Sequence, residues 1–269
     1  MTKVLQDRSS LSAPEEVAVT HLDWEIAVDF AQSTVKGQAT YNLLFVDPKA
    51  TTLKLDTAHL IIQKVVDNTG KELSYKEIVS DKEHLGTQLV IDLQEATTTV
   101  TIHYHTTQAS SALQWLPPPQ TVGKVHPYLF TQCQAIHARS LVPCQDRPGV
   151  KMTYNATVTV PSWASCVLSA VLQSESSDDG TKTFVFAQKI PISSYLLAMA
   201  VGNLARRDIS KRCAVWSEPG LVDAVAYEFA QTEDFLKIAE DLSGKPYVWG
   251  RYDVLCLPPS FPFGGMENP

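Results

Sequence analysis

The chain has 269 residues, 44% of them apolar and 19% charged, and a net charge of −7. At roughly 100–200 residues per domain, this length holds one large domain or two ordinary ones. Ordinary hydrophobicity without charge runs excludes disorder over most of the chain. The acidic balance argues against nucleic-acid backbone binding as the main task.

The opening residues, Met1 to Ala13, are polar and lack the charged-then-apolar pattern of a secretory signal. From residue 21 the chain alternates: Leu22, Trp24, Ile26, Val28 and Phe30 share one face, and Asp23, Glu25 and Asp29 the other. A period of two predicts a half-buried strand. The pattern returns at 37–45, 89–93, 100–104 and 152–160, with shorter β-rich runs at 53–57, 60–66, 183–187 and 195–201. Asp47-Pro48, Asn68-Thr-Gly70 and Asp178-Asp-Gly180 supply turns. About ten such strands predict antiparallel sheets packed in layers, with almost no helix before residue 200.

Beyond Gly202 the period changes. Leu221, Val225, Phe229, Thr232, Phe235 or Leu236, Ala239 and Leu242 recur every three or four residues. They predict a helical face broken near Thr232, stopped by Gly244 and followed by a strand over 252–257. The boundary is expected within 203–206, giving domains at 1–204 and 205–269. The second part is too short for its own core and is expected to be an incomplete domain. No apolar run is long enough to span a bilayer. Five cysteines, an odd number without Cys-x-x-Cys, fit reduced thiols in a cytoplasmic protein better than a disulfide framework.

Most residues with chemical potential have ordinary explanations. His103 and His105 share a strand face without an apparent third metal ligand. His126 and His137 flank Gln132-Cys133-Gln134; His137 reads as a structural hydrogen-bonding residue and Cys133 as a packed thiol. Asp146-Arg147 reads as a solvated loop with ion-pair capacity, and Tyr227 and Phe229 as core-facing aromatics. Phosphate loops and basic aromatic stripes are absent from the sequence, which leaves nucleotide and nucleic-acid functions without support.

The sharpest signal lies at 260–269, Ser-Phe-Pro-Phe-Gly-Gly-Met-Glu-Asn-Pro. On composition alone it reads as a Gly-Gly turn with a solvated carboxylate. It also suits an extended substrate-pairing segment, because Gly264 and Gly265 let a backbone approach closely and Glu267 can bind a cation.

Gly265-Met-Glu-Asn268 resembles the Gly-x-Met-Glu-Asn signature of the gluzincin zinc aminopeptidases. Pro127-Tyr-Leu-Phe-Thr-Gln-Cys-Gln-Ala-Ile-His137, Leu141-Val-Pro-Cys-Gln-Asp146, Pro246-Tyr-Val-Trp-Gly250 and Leu255-Cys-Leu-Pro-Pro-Ser-Phe-Pro262 resemble the leukotriene A4 hydrolase and aminopeptidase B group of that family. The resemblance runs from about residue 20 to the last residue. It implies a mostly β fold: an antiparallel, saddle-like multi-sheet domain, then the truncated start of a thermolysin-like α/β catalytic domain. It implies that Glu267 anchors the substrate α-amine, helped by Gln134 with Gln132 and Cys133 beside it, and that Glu267 assists epoxide opening. Pro262, Phe263, Gly264, Gly265 and Met266 would line the substrate. Phe263 stands where Tyr is expected in the nearest relatives, which puts lipid-substrate positioning in doubt.

The implied substrates are peptide amino termini and fatty-acid epoxides; nucleic acid and membrane are not expected as partners. The implied cofactor of the full-length enzyme is zinc. Its motif, His-Glu-x-x-His, places two imidazoles on one helix face with a glutamate as general base, and it is absent from these residues. The expectation is therefore no zinc and no turnover for this chain. It would be the front portion of such an enzyme or, alternatively, a non-catalytic binding or regulatory form. An unrelated β-sandwich adhesion module is a weaker alternative for 1–204.

Overall fold

A computed structural model describes residues 7–259 and 264–268. In chain order its strands are β1 (Val17–Asp29), β2 (Thr34–Phe45), β3 (Thr52–Thr57), β4 (Leu60–Asp67), β5 (Tyr75–Val79), β6 (Thr87–Asp92), β7 (Thr99–Thr106), β8 (Leu113–Leu116) and β9 (Tyr128–Thr131). There follow β10 (Lys151–Pro161), β11 (Ser165–Leu168), β12 (Val171–Asp178), β13 (Thr181–Ser193), β14 (Met199–Gly202), β15 (Ala205–Asp208) and β16 (Cys213–Ser217). Helices α1 (Val222–Glu228) and α2 (Thr232–Ser243) precede β17 (Tyr252–Leu255).

The largest sheet has seven strands in the order β12-β13-β10-β1-β2-β7-β4. Its pairs are antiparallel, as alternation predicts, except that β1 and β10 run parallel at the centre. No hairpin joins those two strands, so nothing obliges them to reverse direction. The buried face carries Leu22, Trp24, Ile26 and Val28 of β1, and the same alternation runs through Tyr41, Ile102, Tyr104, Tyr154, Val158, Phe184 and Phe186.

Two smaller sheets cover that face. The sheet β3-β6-β5 contributes Leu53, Leu55, Leu89 and Ile91, and β11-β14-β9-β8 contributes Cys166, Met199, Val201, Leu129 and Leu113. The four-stranded sheet is a middle layer. Its other face, with Leu116, Tyr128, Phe130 and Ala200, packs against Leu204, Trp216, Leu255 and Leu257. Every residue of β9 and β14 is therefore buried. The expected strand over 195–201 is a short 3-10 turn at Ser194–Leu196 followed by β14.

Buried polar side chains fasten the 139–146 segment across these layers. The Tyr41 hydroxyl donates to the Pro143 carbonyl. Trp24 Nε1 donates to the Tyr104 hydroxyl at 2.8 Å, which donates to the Leu141 carbonyl at 3.1 Å. Gln145 takes a strand's place beside β1, accepting from the Val19 N–H at 3.0 Å and donating to the Val17 carbonyl at 2.7 Å. Asp146 is not in a solvated loop: it is 2% exposed, and its carboxylate receives Arg139 Nε at 2.9 Å and Ser194 Oγ at 2.7 Å. Asp56, wholly buried, accepts from Ser10 Oγ, the Leu11 N–H and the Asp146 N–H. Arg139 also donates to the carbonyls of Leu85 and Ser9. Arg147 is half-buried against Asp7 and Glu15.

After β14 comes the sheet β15-β16-β17, in which β16 and β17 run parallel. The anticipated helix break falls at 229–231, and Gly244 ends α2 in the left-handed conformation at φ 65°. Arg212 ties α2 to the sheet: its guanidinium meets both oxygens of Glu233 and both of Glu240, and Glu240 also accepts from the Tyr247 N–H. The helical face behaves otherwise than its periodicity implies. Val222, Val225 and Thr232 are buried, whereas Phe235, Ile238 and Leu242 are exposed. Tyr227, expected in the core, is 84% exposed, and Phe229 is exposed too.

Candidate functional site

The glutamines singled out by sequence sit on a turn that leaves β9. The Gln132 N–H donates to the Ala112 carbonyl at 2.9 Å, and the His137 N–H closes the turn on the Cys133 carbonyl at 2.8 Å. The Gln134–Ala135 peptide is cis. Gln132 is half-buried and Gln134 exposed. Behind them, the Ser140 hydroxyl donates to the His137 carbonyl at 2.8 Å and accepts from the Ala112 N–H at 2.9 Å. Nδ1 of His137 lies 2.7 Å from Ser111 Oγ, so His137 has the structural role expected of it. Cys133 is buried, and loss of solvation pushes its thiol pKa well up, with Asp146 adding to the rise. A protonated, enclosed thiol is a packing group.

The second half lies beyond β17. Gly264, Gly265 and Glu267 are exposed and Met266 is half-buried. Pro262 and Phe263 fall outside the described residues. Among the described residues, no hydrogen bond joins Glu267 to Gln132 or Gln134. The strand before the glutamines, β9, packs against β16 and β17. Tyr128 and Phe130 of β9 share one apolar cluster with Trp216, Leu255 and Leu257. Chemically, an exposed carboxylate and exposed amide oxygens are acceptors that suit an ammonium.

Glu218 escaped the sequence reading. It follows β16, is 6% exposed, and accepts the Val122 N–H with both oxygens, at 2.9 and 3.0 Å. That amide belongs to the loop that enters β9. Near the end of that loop, His126 stacks on Trp163 with centroids 4.4 Å apart and planes within 8°. Only a Glu before a helix marks the position in sequence, and nothing local announces amide partners far upstream.

On the outward face of the seven-stranded sheet, His103 and His105 line an open groove of about 700 Å³ with Glu25, Asp29, Lys36 and Gln38. Among the described residues, no group of three or more His, Cys, Asp or Glu side chains is placed to hold a metal ion. All five cysteines are free thiols. Among the described residues, no helix is long and apolar enough to cross a membrane.

The Peptidase M1 N-terminal domain profile matches residues 18–196. Leukotriene A-4 hydrolase of Xenopus laevis is 44% identical over 98% of this chain and 44% of that protein. Leucine aminopeptidase 2 of Yarrowia lipolytica is 42% identical over 98% of this chain and 40% of that protein. The structure of yeast LTA4 hydrolase in complex with bestatin superposes with a TM-score of 0.91 at 36% identity, covering 99% of this chain and 41% of the other. An M1 zinc metallopeptidase from Deinococcus radiodurans shares the fold, with a TM-score of 0.73 at 21% identity over 90% of this chain and 57% of the other. The chain thus spans less than half the length of the first relatives it matches.

Proposed function

The chain belongs to the M1 peptidases, and on that premise we propose that it is the substrate-binding front portion of a cytoplasmic zinc aminopeptidase and epoxide hydrolase of the leukotriene A4 hydrolase type. Residues 1–204 form the saddle-like domain and 205–269 begin the catalytic domain. Glu267, with Gln134 and Gln132, receives a peptide's free α-ammonium. Gly264, Gly265 and Met266 offer backbone to the first residues of that peptide. The reading rests on one observation above the others: similarity to aminopeptidases and leukotriene A4 hydrolase extends over nearly the whole chain. The free thiols favour a reducing compartment.

Zinc in the full-length enzyme would polarise the scissile carbonyl or the epoxide oxygen and activate water. His-Glu-x-x-His does not occur in these residues, and on the proposed reading the chain as given would hydrolyse neither peptide nor epoxide. Its contribution is to bind and orient. An ionised carboxylate accepts charge-assisted hydrogen bonds from an ammonium, and an amide oxygen accepts another. Such an anchor measures from the free end, which makes a peptidase an exopeptidase. In epoxide opening, Glu267 would take up a proton from water and pass it to the oxygen released as the ring C–O bond breaks, returning to its ionised form.

A second reading, a non-catalytic binding or regulatory form, is favoured by the exposed apolar side chains of α2, Phe235, Ile238 and Leu242, since exposed apolar surface promotes association. Titration calorimetry with a free-amine dipeptide amide and its N-acetylated counterpart tests the clamp. Binding of the first alone, lost in Glu267→Gln, is expected; equal binding of both, or neither, rejects it. Metal analysis of the purified chain with an aminopeptidase assay tests the rest, since stoichiometric zinc with turnover would refute the inactive reading.

A further inference from the structure

We propose that Glu218 is a positioning residue: it holds the loop entering β9 against the turn leaving β16 and so sets the two halves of the amine clamp relative to each other. The functional part of this inference rests on the clamp reading above; the structural part does not.

Glu218 is nearly enclosed, and a buried carboxylate is costly unless donors satisfy it. Its donors come from residues about a hundred positions earlier. The Val122 N–H lies within 3.0 Å of both oxygens, and the Gly123 N–H is at 3.5 Å from one. Hydrogen bonds with an ionised acceptor are roughly twice as strong as neutral ones. The approach is close elsewhere too: a Cβ on Gly220 would lie 3.1 Å from a Val122 methyl.

The loop is built to transmit this grip. Thr121 Oγ1 lies 3.2 Å from the His126 carbonyl and accepts from the Lys124 N–H at 3.1 Å, folding the loop on itself. His126 is stacked on Trp163, and two residues later β9 begins and runs to Gln132. On the other side, the Glu218 carbonyl receives the N–H groups of Leu221 and Val222 and so starts α1. β16, just before it, pairs residue by residue with β17, which leads toward Gly264 and Glu267. Glu218 therefore touches the approach to the glutamines directly and the approach to the acid through one strand pair. Apolar packing of Tyr128 and Phe130 on Trp216 and Leu255 is the non-directional partner of this contact; the carboxylate fixes its register.

Hydrogen exchange on the 269-residue chain tests the inference, with Glu218→Ala and Glu218→Gln variants. Exchange at Val122 and Gly123 is expected to rise about ten- to a hundred-fold in Glu218→Ala, with a smaller rise at 252–255. Added formate or acetate should refill the vacated carboxylate position and restore protection at both places, which a loss of packing alone would not permit. Glu218→Gln, isosteric and able to fold, should show the same pattern more weakly. Unchanged exchange at Val122 and Gly123 in both variants overturns the proposal. So does a rise there that leaves 252–255 untouched, or protection that carboxylates fail to restore. Free-amine dipeptide binding should weaken in both variants and recover with formate in Glu218→Ala. Wild-type chain that binds no dipeptide sinks the clamp, while the exchange data still decide whether Glu218 ties the two segments.

Discussion

Replacing Arg139 by Met probes the buried charges that hold the N-terminal segment to the sheets. Arg139 is 1% exposed, and its side chain reaches Asp146 at 2.9 Å, the Leu85 carbonyl at 2.9 Å and the Ser9 carbonyl at 2.7 Å. Met keeps much of the volume and none of the donors. Removing one partner of a buried pair costs about 3–5 kcal/mol, because the other charge is left without compensation. A domain's whole stability is about 5–15 kcal/mol, so the variant should unfold at a clearly lower urea concentration. The pH dependence carries a second signature. Burial pushes the Asp146 pKa up, and Arg139 opposes that rise. A raised folded-state pKa means the native chain binds the proton more readily, so this group's contribution falls as pH climbs through that pKa. Without Arg139 the rise is larger. The deficit of Arg139→Met should be greatest near neutral pH and shrink as the solution is acidified toward the carboxylate range. Adding Asp146→Asn should recover part of the loss, with a coupling of about 0.5–3 kcal/mol. Urea titrations followed by tryptophan fluorescence measure all of this. A neutral-pH deficit below about 1 kcal/mol, in the range of an exposed pair, or one that grows on acidification, would refute the reasoning.

Gly202→Ala should cost about 1–3 kcal/mol by overpacking, since its Cβ would lie 2.5 Å from the Tyr128 ring; a thermal melt reads it, and Tyr128→Leu in the same chain should return part of the loss. Hydrogen bonds from Arg212, then from the Tyr247 N–H, hold the Glu240 pKa down to about 2. That contribution is complete above the ordinary carboxylate range and disappears as pH falls through about 2; a carbon-detected NMR titration should show Glu240 returning toward ordinary values in Arg212→Gln. Thiol labelling followed by mass spectrometry should mark Cys256 first, because it is half-buried while Cys133, Cys144, Cys166 and Cys213 are enclosed. Rapid labelling of any of those four in the native chain contradicts the packing described.

The strands legible in sequence are those with one wet face. β1, β2, β7 and β10 bury alternate residues, so their period of two survives in the amino acids. β9 was hidden for the opposite reason, being covered on both faces by the neighbouring layers; β14, covered likewise, shows in the sequence only as a short β-rich run without alternation. β12 was hidden because all its residues are exposed, leaving no apolar row to count. Gly244 and the break before Thr232 were readable because helix stops are local. Asp146 was misread because its partner, Arg139, meets it only through tertiary structure, and a charged pair in a Pro-containing loop looks like surface. In the candidate site, Gln132, Cys133, Gln134 and the Gly264–Glu267 segment could be named from their motif. Glu218 could not, since its amide partners lie across the domain boundary expected at 203–206.

The parallel contact between β1 and β10 has a consequence for biogenesis. His21 and Thr153, neighbours in that pair, are 132 positions apart. A ribosome delivers roughly 5–20 residues each second, so one margin of β1 waits on the order of ten seconds for its mate to emerge. Meanwhile Trp24 and Ile26 stand on a ribbon whose amide row is open on one side, the kind of margin that recruits foreign strands. Nascent-chain crosslinking should therefore find chaperones on residues 17–29 until about residue 161 has left the exit tunnel, and seldom afterwards.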